Sequence, residues 1–472
     1  MKILSVDVAI LGAGTAGLAA YRAAKAAGVS VVLIEGGEYG TTCARVGCMP
    51  SKLLIAAAEA AHGVKSASGF GIHIDGTIRI DGREVMDRVR RERDRFVGFV
   101  LRDVAAIPAT ERIRGFARFI NNDTLLVDEH TQITSKSIVI ATGSSADYPD
   151  EYQALGERLI INDDVFNWQN LPKSVAVIGT GIIGLEIAQA LHRLGVEVAV
   201  FGRGGRVGSI SDPAIRDYAM AIFNEEFTLE VDANIASVRR DGERVAIQRT
   251  LPDGSARTDY FDYVLAATGR TPNVTRLGLE HTTLKLDDKG VPVSDPATTQ
   301  TQSAAATSPI FIAGDASDYI PLLHEAADEG RIAGDNAARL ALKQALQDGL
   351  RRAAINITFT DPQIGIVGDG FHALKPGTFA TGIASFEDQG RARILLKNQG
   401  LLHIYADKTT GKLLGAEMLA PAAEHLAHLL AWALQNAMTI PQMLEMPFYH
   451  PVIEEGLRTA LRDLDSKLRA VQ

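Results

Sequence analysis

The sequence predicts an α/β chain built from two Rossmann-like dinucleotide-binding domains followed by a C-terminal α+β domain. Three observations carry this. Near the N-terminus an apolar, β-prone run leads into a glycine triplet and then an alanine-rich helix, and an acid closes the next strand. The same unit recurs without gaps 167 positions later. From about residue 346 the glycine triplets stop, and short alternating strands are followed by one helical stretch.

The first unit occupies Val6–Leu11, then Gly12-Ala-Gly14-Thr-Ala-Gly17, a helix ending near Gly28, and a strand from Val29 to Ile34 that ends at Glu35. Glu35 lies 23 positions after Gly12, the spacing at which an acid accepts hydrogen bonds from a ribose. The glycines permit the tight turn and let a pyrophosphate approach the helix N-terminus. A lone triplet would be weak evidence; strand, turn, helix, strand and acid together make a merely structural turn the lesser reading. The second copy runs from Val175 to Gly202, with Gly179, Gly181 and Gly184 as its triplet. Two copies imply two dinucleotides in one chain, which suits electron transfer between them. Gly202 stands where the ribose-binding acid would be, and Arg203 follows, with Arg206 three further on. An arginine there can accept a 2′-phosphate, so NADP is not excluded beside NAD; the bland alternative is a solvent-facing side chain.

Composition narrows the class. A chain of 472 residues has a prior of about three domains, and its 46% hydrophobic content with 44 glycines suits many tight strand-to-helix turns. The net charge of −9 gives no electrostatic support for a nucleic acid or an anionic membrane as partner. The basic cluster Arg88–Arg95 is interleaved with Glu92 and Asp94 and reads as the solvated face of a helix. No apolar run reaches membrane-spanning length. Asp7 interrupts the N-terminal apolar run, so it reads as mature protein, not as a secretory signal, and a cytoplasmic location is expected.

Cys43 and Cys48 are the only cysteines. Two thiols this close form a redox-active pair, half of a metal site, or a pair of structural thiols. His62 and His73, the nearest histidines, show no metal-ligand spacing, so no metal site is expected. In an unbroken helix, residues five apart would lie roughly 8–9 Å from each other at Cα, beyond the roughly 7 Å limit for a disulfide. A bond between them therefore needs a distorted backbone, for which Gly47 supplies the freedom, with a regular helix starting near Pro50 and covering Ser51–Ala61. A helix start also lowers thiol pKa through its dipole.

Four further stretches close on small or functional residues. Ser137–Ala141 ends at Thr142-Gly143-Ser144, and Val264–Ala267 at Thr268-Gly269-Arg270; alone, each is an ordinary strand end. Ile310–Ala313 closes on Gly314-Asp315, also readable as a plain turn, before a helix opening at Pro321 that carries His324, a cap or core histidine in its bland reading. Pro447-Phe-Tyr-His450-Pro451 precedes Glu454 and Glu455. A carboxylate beside an imidazole raises its basicity, as a general base for a thiol requires, although a histidine–proline pair at a helix start is more often a cap.

Thr42-Cys43-Ala-Arg-Val-Gly-Cys48-Met-Pro-Ser-Lys52 resembles the redox motif of the flavin-dependent pyridine nucleotide-disulfide oxidoreductases, and is most similar to their dihydrolipoyl dehydrogenase branch. Both triplets, Gly314-Asp315 and His450-Pro451 with Glu455 extend the resemblance over essentially the whole chain. It implies a homodimer with FAD on the first triplet and NAD on the second. The divisions would be 1–146 and 273–345 for FAD, 147–272 for NAD(P), and 346–472 for a C-terminal α+β dimerisation domain. It implies Cys43 as the sulfur that exchanges with substrate, Cys48 as the one beside the flavin, and Lys52 by the flavin, paired with Glu186. The partner subunit's His450, oriented by Glu455, would be the base. Gly115, Thr142, Gly143, Ser144, Gly269, Asp315 and His324 would line the FAD site, and Gly179, Gly181, Gly184 and Arg203 the nicotinamide site. The implied substrate is dihydrolipoamide, free or on a lipoyl domain of a 2-oxo-acid dehydrogenase complex. An NADPH-dependent glutathione-type reductase is the alternative; mercuric and large thioredoxin reductases are runners-up within the family, and both need extra C-terminal cysteines or an equivalent, of which none exist here. A flavin-bound redox sensor without turnover needs no thiol base. Departures from the family pattern are Thr41 for a glycine, Arg45 for an asparagine, and Phe448 and Tyr449 before the histidine.

Overall fold

The computed structural model describes residues 1–304 and 308–470. The chain forms two compact units, 1–50 with 90–147 and 269–351, and 51–89 with 148–268 and 352–472.

In the first unit, strand Lys2–Leu11 lies between Val31–Glu35 and Thr131–Ile140, all parallel. Ile310–Ile312 adds beside Thr131–Ile140, again parallel. Fully buried Val8, Ala9, Ile10, Ile138, Val139 and Ile140 give these strands the near-continuous apolar sequence of a sheet covered on both faces. The first strand starts at Lys2, earlier than the apolar run, because Lys2–Ser5 pair with Thr131–Thr134. Leu11 pairs with both Ile34 and Ile140, and Ile140 with Ile312, so the strands end level. Ligands in such sheets bind just beyond the carboxyl ends of the strands. Helix Leu323–Ala341 crosses the first fingerprint helix, Thr15–Ala26, in close contact: a Cβ on Gly330 would lie 2.1 Å from the Ala16 oxygen, and one on Gly334 2.2 Å from that of Ala20.

The second unit holds an all-parallel five-stranded sheet in the order Thr228–Glu230, Glu197–Phe201, Ser174–Ile178, Tyr263–Ala266 and Leu159–Ile160. A five-stranded antiparallel sheet follows, in the order Ile355–Thr358, Gln363–Gly368, Leu413–Ala420, Leu401–Asp407 and Phe379–Ser385. Helices Ala423–Gln435 and Glu455–Arg469 bury Leu426, Leu430, Leu457, Leu461 and Leu464 in the same core as this sheet. This is the mixed α/β architecture expected from the glycine repeat and the change of texture near residue 346. Among the described residues no helix is long and apolar enough to cross a membrane.

Candidate active site

The two fingerprints fold to the same clearances. A Cβ on Gly12 would sit 2.2 Å from the Ala141 oxygen, and one on Gly179 2.1 Å from that of Ala267. A Cβ on Gly17 would meet the Gly12 oxygen at 1.9 Å, and one on Gly184 the Gly179 oxygen at 2.0 Å. The middle glycines, Gly14 and Gly181, face open space, with nothing within 4 Å of a Cβ. Outer glycines therefore close strand against helix, while the middle one leaves the helix N-terminus bare to an approaching pyrophosphate. Glu35 holds the first turn, its Oε2 accepting from the Ala13 N–H at 2.7 Å and its Oε1 from that of Gly37 at 2.7 Å.

Beyond the strand ends of the first unit lies a cleft of about 690 Å³, including space open to solvent, lined by Gly14, Thr15, Ala141, Gly143, Ser144, Gly314 and Asp315 together with Cys43, Gly47 and Cys48. The backbone between the cysteines is broken where the glycine stands. A short helix, Thr42–Val46, ends at Gly47 (φ −123°, ψ −116°), and the long helix starts at Cys48 and runs to Ser66. Its start precedes Pro50, because proline fits the first turn, where its missing N–H has no partner to lose. Cys43 is half-buried and Cys48 exposed.

Asp315 is held from one side. Ser144 Oγ donates to its carboxylate at 2.7 Å, and Arg270 Nε donates to Ser144 Oγ at 2.8 Å. Buried Glu329 accepts from the Gly314 N–H at 2.8 Å and from Arg351 at 2.9 Å, so the turn carrying Asp315 is tied to the helix behind it. Arg270, Glu329 and Arg351 were not singled out in the sequence, where no local signal joins Gly314 to residue 351. Thr142 donates to the Asn273 carbonyl at 2.8 Å, and the Gly269 carbonyl accepts from Asp147 at 3.0 Å. Gly115 and His324 do not line the cleft. Gly115 donates to the Glu35 carbonyl at 3.1 Å, and His324 has its Nε2 3.8 Å from Glu325, without a hydrogen-bond partner.

In the second unit Lys52 and Glu186 meet. Lys52 Nζ lies 2.9 and 2.7 Å from the two carboxylate oxygens, and 4.6 Å from the centre of the Phe359 ring. Glu186 also accepts from the Phe359 N–H at 2.8 Å. One and two turns along the same helix, Gln189 accepts from the Asp361 N–H at 2.8 Å and Arg193 reaches the Asp361 carboxylate at 3.0 Å and Glu226 at 2.7 Å. Burial would raise the Asp361 carboxyl, but Lys397, 3.6 Å away, and then Arg193 outweigh it, so the carboxyl lies below the usual carboxylate range.

His450 Nδ1 lies 3.0 and 3.1 Å from the two oxygens of Glu455, which opens the last helix, and Glu455 also accepts from the Val452 N–H at 3.2 Å. Of the two neighbouring acids, Glu455 is thus the imidazole's partner. The His450 contact and the Val452 N–H hold its carboxyl below the usual range. Tyr449 is 80% exposed, whereas Phe448 packs under Arg458. Arg203 and Arg206 are exposed, and buried Gly202 has no room for a side chain: a Cβ would lie 2.6 Å from Thr180 Cγ2 and 2.9 Å from the Val231 oxygen. Among the described residues no cluster of three or more His, Cys, Asp or Glu could hold a metal.

Two glycine cradles of one design, with a cysteine pair in the cleft of the first, define a dinucleotide-dependent dithiol oxidoreductase. The chain belongs to the pyridine nucleotide-disulphide oxidoreductase family: that family's model matches residues 6–330, and the model of its dimerisation domain matches 355–461. The family works with FAD and NAD(P). Mercuric reductase of Streptomyces lividans is 32% identical, over 98% of this chain and 96% of its own. Dihydrolipoyl dehydrogenase of Chlamydia trachomatis serovar D is 29% identical, over 98% and 97%. Among solved structures, LpdA of Mycobacterium tuberculosis superposes with a TM-score of 0.81 at 25% identity, covering 98% of this chain and 99% of that one.

Proposed function

We propose that this flavin disulfide oxidoreductase oxidises dihydrolipoamide through Cys43 and Cys48 and passes the electrons to a nicotinamide dinucleotide. The observation that carries the reading is the shared cleft: Cys43 and Cys48 line the same space as Gly14, Ser144 and Asp315. Gly12, Gly14, Gly17 and Glu35 would hold the pyrophosphate and ribose of FAD, and Asp315, positioned by Ser144 and Arg270, its ribityl chain. Bound there, FAD supplies two-electron transfer between dithiol and nicotinamide. In a cytoplasmic homodimer the partner subunit's His450, oriented by Glu455, takes a proton from one substrate thiol. That thiolate attacks Cys43 and releases Cys48; the second substrate thiol then displaces Cys43, leaving oxidised substrate and two reduced cysteines. Lys52, paired with Glu186, would by the family reading stabilise charge on the flavin ring. The functional divisions are 1–146 and 273–345, 147–272, and 346–472.

Two observations favour a second reading at the nicotinamide end. Gly202 carries no acid to repel a 2′-phosphate, and Arg203 and Arg206 stand exposed beside it. NADP is therefore a candidate alongside NAD, and with it a reductase direction. Mercury reduction, raised by the relatives, is disfavoured because two cysteines leave no further thiol pair to deliver the ion to the first. The test sets dihydrolipoamide with NAD against glutathione disulfide with NADPH and mercuric ion with NADPH. Fastest turnover of the first pair is expected; either of the others running tenfold faster overturns the substrate assignment.

A further inference from the structure

Past helix Leu323–Ala341 the chain turns at Leu342 and Lys343 and runs back along that helix, without regular structure, as far as Arg351. Two contacts fix the return path. Buried Asn336 exchanges hydrogen bonds with the Gln347 backbone, both at 2.9 Å, and the Gly349 N–H donates to the Ala297 carbonyl at 2.8 Å. The detour delivers one guanidinium. Its Nη2 lies 2.9 Å from Glu329 Oε1, its Nη1 3.9 Å from Glu325 Oε2, and its carbon 4.8 Å from the centre of the Tyr319 ring. Glu325 and Glu329 stand one turn apart on the helix, both buried, and two such carboxylates repel unless a cation lies against them. Glu329 Oε2 turns the other way, accepting from the Gly314 N–H at 2.8 Å with Ser317 Oγ 3.2 Å from it.

We infer that Arg351 is a positioning residue for the flavin: by holding Glu329 it fixes the Gly314–Ser317 turn, and with it the Asp315 carboxylate, in the geometry that meets the ribityl chain. This rests on the reading of Asp315 as the ribityl partner. Ser144, backed by Arg270, steadies Asp315 through its side chain, whereas Arg351 acts through Glu329 on the amide of the residue before it. Without the guanidinium, Glu329 keeps its buried place but loses the cation beside it; turning toward water relieves the charge and releases the Gly314 N–H. A ligand that needs the turn in one geometry must then order it at the moment of binding, and affinity falls.

The test measures the FAD dissociation constant of the purified holoenzyme from the flavin fluorescence released on dilution. Arg351→Met is expected to weaken FAD binding about tenfold, and Arg351→Lys, which keeps a cation against Glu329, by no more than about threefold. Asp315→Ala should itself weaken binding about tenfold or more, and adding Arg351→Met to it should change the constant less than about twofold, because the turn then has no carboxylate left to place. General loosening of the fold would instead add its full effect in the double variant. Parent-like binding in Arg351→Met overturns the inference, as does full addition in the double variant, or an Arg351→Lys as weak as Arg351→Met. Should Arg351→Met not fold, Glu329→Gln replaces it in the same cycle, since it removes the charge that Arg351 meets and keeps an oxygen for the Gly314 N–H. Weakening of about threefold that vanishes beside Asp315→Ala supports the inference, and parent-like binding or full addition overturns it. If Asp315→Ala binds FAD as tightly as the parent, the ribityl reading itself has failed, a result recognisable whatever Arg351 does.

Discussion

Replacing Glu186 isolates what the Lys52 contact contributes. Its side chain is 4% exposed and accepts three hydrogen bonds from two groups: Lys52 Nζ on both oxygens, and the Phe359 N–H on one. Glu186→Ala removes a charge-assisted hydrogen bond, about 1.5–3 kcal/mol, and leaves a backbone donor without its acceptor, about 1–3 kcal/mol. Lys52 is 33% exposed and can rehydrate, so the first contribution falls at its low end, and the expected total is about 3 kcal/mol. Glu186→Gln keeps an oxygen for Phe359 and a dipole for Lys52, so its cost should be about 1 kcal/mol. A double-mutant cycle with Lys52→Met should return a coupling of about 1 kcal/mol, since the pair is only partly withdrawn from water. Urea unfolding followed by circular dichroism measures all five proteins, the parent, both Glu186 variants, Lys52→Met and the double variant. Equal losses for Ala and Gln, or a coupling below about 0.3 kcal/mol, would refute the account, because the carboxylate would then be acting through shape and not through its donors.

Three further outcomes are expected. Gly330→Ala puts a methyl 2.1 Å from the Ala16 oxygen, so the two helices must part; a loss of more than about 2 kcal/mol and weakened flavin retention on gel filtration should follow. Asp7 is held down to a pKa of about 2 by the Lys136 contact and then by the Ser30 N–H and hydroxyl. The stability it adds is complete above the unfolded carboxyl's value and is lost as pH falls through the folded one, so the gap between parent and Asp7→Asn should persist at pH ~5 and close near pH ~2 in thermal melts. His450→Gln should lower kcat by about 10²-fold or more in steady-state assays, and Glu455→Gln by about tenfold, because the second leaves the base in place but frees its ring to turn; equal losses would contradict a purely orienting Glu455.

Features dictated by neighbours in sequence were open to reading. Both glycine triplets announce their turns because each position answers a local steric demand, and the break at Gly47 follows from helix geometry and one flexible residue. The C-terminal sheet was visible as alternation at Ile364–Val367 and Leu401–Tyr405. What could not be read joins residues far apart in the chain: Glu329 under the Gly314 turn with Arg351, Arg270 behind Ser144, and the Phe359 amide on Glu186. No composition or period distinguishes those side chains from surface charges. The positive φ at Thr41 was equally hidden, since threonine advertises the opposite preference.

The second fingerprint helix grips the segment after strand Ile355–Thr358 through Glu186, Gln189 and Arg193, and two of those three take amide hydrogens from Phe359 and Asp361. Deuterium uptake at these two amides is then governed by opening of the helix and not of the loop, so a stretch without regular structure exchanges as slowly as the helix beside it. A nucleotide that steadies the helix is then expected to slow exchange at Phe359 and Asp361 too, a readout of occupancy from outside the helix itself.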